Sequence, residues 1–386
     1  MNRQKLCIID ETLREGMQHR GIVFSTDQAM TILNFQERLG IDICQAGYPP
    51  AHESEQEKLK YLVRSAMDQK FSVRVAAMGR ACPGDAEILI KTCTRDFHLH
   101  AHVAKENWLN TMDQAFPGLA ATVETIRSNC PAAQISLAFL DIGRTDPEFL
   151  YRAAKYLINE LSLDILSLPD TSGIMGPNQI HDALSPIVKL AGNSTTQISV
   201  HCHNDLGMAS ANTVMGVVAG ATVVEASVFG LGERNGLADL YTTARVLRDQ
   251  GYTMDMNLDD VDTFRAYYLY IDSLCREQTG EPLLTYNTPF FGAGVKTHVA
   301  GTHGGSGFGL GGEEKIYLNV LCGQRLVGQY LNQEGIPHDR TLLAALTQEI
   351  KRKSALLHRS LEHNEIETLA AGVAPKNGVD ETQQED

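Results

Sequence analysis

The 386-residue chain has no apolar run approaching the roughly 20 residues that span a bilayer, so a membrane-embedded protein is not expected. It also has no CxxC pair. Its eight cysteines stand apart at 7, 44, 82, 93, 130, 202, 275 and 322, which excludes a paired-thiol metal site, and a chain of this length needs no disulfide staples. Positive charge is in deficit, with 33 Lys and Arg against 47 Asp and Glu and a net charge of −14. That balance argues against nucleic acid or an anionic membrane as the main partner. It leaves room for an anionic substrate, because a metal and a few arginines reverse the potential locally. The opening MNRQKLCIIDETLREG turns acidic too soon for a signal peptide, so a cytoplasmic protein with reduced thiols is expected. Finally, no glycine-rich phosphate loop follows the first strand-like run, which counts against an open dinucleotide-binding sheet.

What is present is alternation. Eight short β-prone runs lie at 6–10, 41–46, 72–77, 97–103, 134–139, 163–168, 197–202 and 222–228, separated by segments with helical periodicity. Eight strand–helix repeats in about 240 residues predict an α/β fold, the (β/α)8 TIM barrel. A small, mainly helical C-terminal subdomain is expected to follow. The boundaries are a barrel over 1–275, a linker and helical subdomain over 276–372 with helices at 315–331 and 339–358, and a disordered tail over 373–386.

The chemistry gathers at the ends of the predicted strands. In HCHNDLG, His201 and His203 are two apart, so on a strand they face one point and form half of a divalent metal site. DETLREGMQ ends the first strand and crowds Asp10, Glu11, Arg14 and Glu15 at the barrel mouth. A carboxylate from there can complete the ion's protein ligands, and Arg14 can balance charge growing on a carbonyl oxygen. LPDTSG offers Thr171 and Ser172 as donors to a carboxylate, RTD puts Arg144 at the same mouth, and GLGERNG brings Glu233 and Arg234 after strand eight. FHLHAHV aligns His98, His100 and His102 on one face of strand four; a structural role for them stands beside ligation.

Taken together, DETLREGMQ, GIDICQAGYP, RTDPEFL, LPDTSG, HCHNDLG and GLGERNG resemble the superfamily of isopropylmalate synthase, homocitrate synthase and hydroxymethylglutaryl-CoA lyase. NTPFFGAGVKTHVAGTH is similar to a further segment found in the synthases, and the lyases' cysteine-bearing loop after strand eight is absent. The resemblance, over roughly 5–305, implies an acyltransferase that condenses acetyl-CoA with a 2-oxo acid and hydrolyses the thioester, giving a 2-substituted malate and CoA. It implies Glu15, His201 and His203 as ligands of Mg²⁺, Mn²⁺ or Zn²⁺. It also implies Arg14 and His303 as catalytic residues, and Gln18, Arg144 and Thr171 as substrate-binding residues. In such synthases the catalytic histidine comes from the other subunit, so a homodimer with shared active sites is expected. No leucine-sensing domain of the kind that isopropylmalate synthases often carry is expected.

Two departures matter. Gln45 and Leu140 stand where the family usually has glutamates, and the second of those pairs with the catalytic histidine. Where homocitrate synthases hold a distal carboxylate with an arginine and a histidine, this chain has Ser136 and Ala76, with Ala138 nearby. The pocket is therefore expected to be enlarged and neutral, suited to an apolar or unusual 2-oxo acid. The alternatives are a homocitrate synthase using 2-oxoglutarate, a metal-dependent aldolase or lyase on the same barrel, and a non-catalytic interaction protein.

Overall fold

The computed structural model describes residues 4–101, 112, 116, 118–299 and 315–373. Eight parallel strands close into a barrel in sequence order. They are β1 (Cys7–Asp10), β2 (Ile43–Gln45), β3 (Arg74–Arg80), β4 (Asp96–Ala101), β5 (Gln134–Phe139), β6 (Ile165–Asp170), β7 (Gln197–Cys202) and β8 (Val223–Ala226), with β8 pairing back onto β1. This is the predicted TIM barrel. Strands β3 and β6 begin two residues later than their sequence patterns suggest, at Arg74 and Ile165, and run on to Arg80 and Asp170.

Helices cover the barrel for local reasons. The helix Thr26–Leu39 starts in a capping box, with the Ser25 hydroxyl accepting from the Gln28 amide at 3.2 Å and the Gln28 side chain accepting from the Ser25 amide at 2.8 Å. Ala29, Ile32, Leu33, Gln36 and Leu39 then recur at helical spacing on its buried face. Gly40 stops it in the left-handed region at φ 72°. No helix among the described residues is long and apolar enough to cross a membrane.

Inside the barrel, Ile9, Ile43, Ala76, Ile165 and Val223 pack into one apolar layer. Ala76 belongs to this layer and is fully buried. Its expected place in the substrate pocket is therefore corrected: a methyl group at that register seals the barrel instead.

The chain divides into two compact units, Met1–Leu284 and Thr285–Asp386. The boundary expected at 275 falls inside a continuous helix, Val261–Thr279. Leu274 and Cys275 are buried there, and Asp272 accepts from the Leu283 and Leu284 amides at 2.7 Å each, tying the following turn to the first unit. The second unit contains helices Gln324–Gln333, Arg340–Leu357 and His363–Val373 around a core that includes Leu318, Val327, Leu346, Ile350 and Ile366. The helix expected over 315–331 begins only at 324, because Lys315–Ile316 pairs instead with Thr297–His298 and Leu318 turns into the core. Val373 ends the last helix, and the rest of the expected tail lies outside the described residues.

Candidate functional site

Strand β7 carries His201 on its inner side, and His203 follows directly after the strand, with ring centroids 5.0 Å apart. Each ring has one nitrogen already engaged. His201 Nδ1 lies 3.0 Å from Glu225 Oε2 on β8 and 3.0 Å from Glu11 Oε2. His203 Nδ1 lies 3.2 Å from the Gly236 carbonyl oxygen. Such partners fix the tautomer and leave Nε2 for another task. His203 Nε2 is 3.9 Å from Glu15 Oε1.

Beyond β1 the chain turns through the short helix Glu15–Gln18, which buries Glu15 under the mouth. Arg14 contacts Glu15 and Gln45 Oε1 directly, and its Nη2 is 3.1 Å from Glu11 Oε1. In the amide orientation that satisfies both groups, Gln18 donates to the Glu15 oxygens at 2.7 and 3.1 Å. Burial pushes the Glu11 carboxyl up. Burial acts the same way on Glu15, but Arg14 and the two imidazoles hold it below the usual carboxylate range. Burial opposes protonation of His201, yet the Glu11 and Glu225 carboxylates raise it to about 10. His203 is lowered to about 4 by burial and by the neighbouring His201.

Three buried carboxylates thus crowd two cationic groups with little water to screen them: Arg14 pairs with Glu11 and Glu15, and His201 lies beside Glu11 and Glu225. Both Glu11 oxygens lack an aligned hydrogen bond among the described residues, despite the ion-pair distances above. Carboxylate oxygens beside imidazole nitrogens are donors suited to a divalent cation, so the residues fit one. Two donor groupings overlap at His201. Ligand atoms of Glu11, His201 and Glu225 lie within 4.8 Å of one another, while Glu15 and His203 face each other across the same site.

Three loops are locked together around these side chains. Arg234 donates to both Asp205 oxygens at 2.8 Å and to the Thr171 carbonyl oxygen at 2.6 Å. Gly236, at φ 78°, presents its carbonyl to His203, and a Cβ there would lie 1.9 Å from the Gly230 oxygen, so no other residue fits. The Thr171 hydroxyl accepts from the Asp141 amide at 2.9 Å, which leaves its own proton to donate.

A cavity of about 210 Å³ opens at this end of the barrel. Arg14, Glu15, His201 and His203 line it, as do four of the expected substrate contacts, Gln18, Ser136, Ala138 and Thr171. Leu140 and Gln45, the two departures, face it as well. Arg144 is not part of its wall. The side chain is largely exposed and pairs with Asp141 at 3.5 Å, because the short helix Ile142–Arg144 carries it outward. His303 and His102 lie outside the described residues. Sequence reasoning missed Glu225 and Tyr48, which also line the cavity. The signal for Glu225 was a lone carboxylate inside the apolar run TVVEASV.

Comparison with known proteins gives a consistent picture. The HMGL-like family model matches residues 5–267. A 2-isopropylmalate synthase from Sulfolobus acidocaldarius is 31% identical over 91% of this chain and 91% of its own. A homocitrate synthase from Pyrococcus abyssi is 29% identical over 89% of this chain and 94% of its own. Among solved structures, a hydroxymethylglutaryl-CoA lyase from Pseudomonas aeruginosa superposes with a TM-score of 0.60 at 15% identity, over 73% of this chain and 97% of that one, a likeness of fold alone.

Proposed function

The chain belongs to the HMGL-like family, and from that membership we propose that it is an acyltransferase condensing acetyl-CoA with a 2-oxo acid to give a 2-substituted malate and CoA. The observation that carries this reading is the convergence of Arg14, Glu15, Thr171, His201 and His203 on one cavity, in a chain whose full-length relatives are synthases.

In this reading Glu15 and the Nε2 atoms of His201 and His203 hold the divalent ion, because Glu225 and Gly236 already occupy the two Nδ1 atoms. When bound, the ion would supply Lewis acidity to the ketone of the oxo acid. Thr171 donates to the substrate carboxylate. Arg14 stands ready beside the ketone oxygen as negative charge develops there. The proton leaving the acetyl methyl group is assigned to His303, supplied from a second copy of the chain. Leu140 cannot orient an imidazole, so that ring needs another partner.

The cavity wall offers a substrate's side chain no disengaged lysine or arginine among the described residues. Arg14 is the only lysine or arginine among the described residues that line it, and Glu11 and Glu15 engage it. A distal carboxylate buried there would lack a cation and cost several kcal/mol, roughly. This favours a 2-oxo acid with an uncharged side chain over 2-oxoglutarate.

The test is CoA release from acetyl-CoA, followed with a thiol reagent across pyruvate, 2-oxoisovalerate, phenylpyruvate, oxaloacetate and 2-oxoglutarate with Mn²⁺, Mg²⁺ or Zn²⁺. Release that requires an uncharged 2-oxo acid and is lost in His203→Ala supports the reading. Preference for 2-oxoglutarate removes the neutral-pocket argument but keeps the reaction class. No release with any acid removes both.

A further inference from the structure

The histidines of β4 are not absorbed by the ion site or by the proposed chemistry, and one of them has an unusually constrained state. His98 is 4% exposed and lines the cavity beside Ser136, its register partner on β5. Gln45 sets its tautomer. Arg14 Nε donates to Gln45 Oε1, which turns the amide nitrogen of Gln45 towards His98 Nδ1 at 2.8 Å. An amide nitrogen only donates, so Nδ1 must accept, and the ring proton is on Nε2. A glutamate at position 45 would accept instead of donate and would reverse that assignment. Neither His98 Nε2 nor the Ser136 hydroxyl has a hydrogen-bond partner among the described residues, and neither is a sealed orphan atom. Both groups therefore turn to the cavity. His100, one step further along the strand, is already satisfied at Nε2, 3.1 Å from the Tyr48 hydroxyl.

We propose that His98 Nε2–H and the Ser136 hydroxyl select a 2-oxo acid whose side chain ends in a neutral hydrogen-bonding group, a hydroxyl or carboxamide, over both a plain hydrocarbon and a carboxylate. The inference rests on the condensation reading above and narrows its substrate class. An oxygen on the substrate accepts from Nε2–H, and Ser136 either donates to it or accepts its proton. A hydrocarbon end would leave both protein groups buried and unpaired, and sites built to hydrogen-bond a substrate discriminate strongly against the analogue that lacks the group. A carboxylate would meet one guanidinium on the cavity wall among the described residues, Arg14, and that one is engaged by Glu11, Glu15 and Gln45.

The experiment compares kcat/KM, by CoA release, for 4-hydroxy-2-oxobutanoate, its methyl analogue 2-oxopentanoate and the carboxylate analogue oxaloacetate. Pyruvate, which has no distal group, serves as control. The wild-type chain should prefer the hydroxyl acid over each analogue by about tenfold or more. His98→Leu should bring the hydroxyl-to-methyl ratio towards one while pyruvate turnover stays within about threefold, and His98→Gln, which keeps an N–H, should restore part of the preference. If His98→Leu loses pyruvate turnover through misfolding, His98→Met takes its place. A wild-type ratio near one, or a ratio unchanged by the apolar variants, with pyruvate still consumed, overturns this inference and leaves the condensation reading standing. Absence of CoA release with every acid overturns the condensation reading itself, and this inference with it.

Discussion

Replacing Glu225 by glutamine changes one atom in a fully packed site and separates the two donor groupings found there. The Glu225 carboxylate accepts from the Ser199 hydroxyl at 2.6 Å and lies 3.0 Å from His201 Nδ1. Burial opposes its charge, but the His201 and Ser199 contacts hold its pKa far below the usual carboxylate range. Glu225→Gln keeps the volume and removes the charge. The hydrogen bond to His201 thereby loses its ionic character, a contribution of about 1.5–3 kcal/mol. Groups that orient a ligating histidine typically change metal affinity by about 10–100-fold, which corresponds to about 1.4–2.7 kcal/mol. The variant should therefore bind Mn²⁺ about 10–100-fold more weakly in a calorimetric titration, with an unchanged circular dichroism spectrum. His203→Ala should do worse, because it removes a ligand. Unaltered Mn²⁺ affinity in Glu225→Gln would refute the orienting role. A loss as complete as that in His203→Ala would put Glu225 in the ligand set, with Glu11 and His201 as its companions.

Other expectations concern packing, pH and substrate binding. Gly216 lies in the helix Ala209–Val218, where an added Cβ would meet Val200 Cγ2 on β7 at 2.6 Å. Gly216→Ala should therefore cost about 1–3 kcal/mol in denaturant unfolding, and an unchanged midpoint would contradict this packing argument. Burial lowers His98 from 6.5 to about 4, with Glu225 opposing and Arg74 and Arg14 assisting. Because the folded value lies below the unfolded one, this stabilising contribution is complete above pH 6.5 and is lost as pH falls to about 4. The stability difference between wild type and His98→Gln should change by about 3 kcal/mol across that window, whereas a flat difference would count against a buried neutral imidazole. Thr171→Val removes the donor proposed for the substrate carboxylate, and kcat/KM for the oxo acid should fall by about 10–100-fold. Thr171→Ser, which still accepts from the Asp141 amide, should retain most of the activity; equal losses in both variants would point to loop disruption instead.

The barrel was legible because its signals are local and repeated. Each strand run is short, apolar and bounded by helical periodicity, and the closure of β8 onto β1 follows from having eight of them. The approach of His201 and His203 to one cavity was legible for a similar reason: a spacing of two on an extended chain fixes a common face. What the sequence hid depends on register and on distant partners. Ala76 and Met78 are both inward-facing positions of β3, yet only Met78 reaches the cavity, and shear decides which layer each joins. Glu225 becomes chemically meaningful only when β8 sets it against Ser199 and His201 of β7. Arg144 was placed at the mouth by its position after β5, but its direction depends on the backbone at Asp141, which adopts φ 63°. Gln45 was visible only as a departure from a familiar pattern. Its role as a relay between Arg14 and His98 needs three strands to be in place.

The central claim is that this chain forms a carbon–carbon bond between an acetyl methyl group and a 2-oxo acid. The most direct test incubates the metal-loaded protein with methyl-labelled ¹³C-acetyl-CoA and an uncharged 2-oxo acid, then identifies the products by mass spectrometry and NMR. The account predicts free CoA and a 2-substituted malate whose labelled carbon is a methylene bonded to the former ketone carbon. CoA release with the label recovered as free acetate, or an oxo acid recovered unchanged, would contradict it.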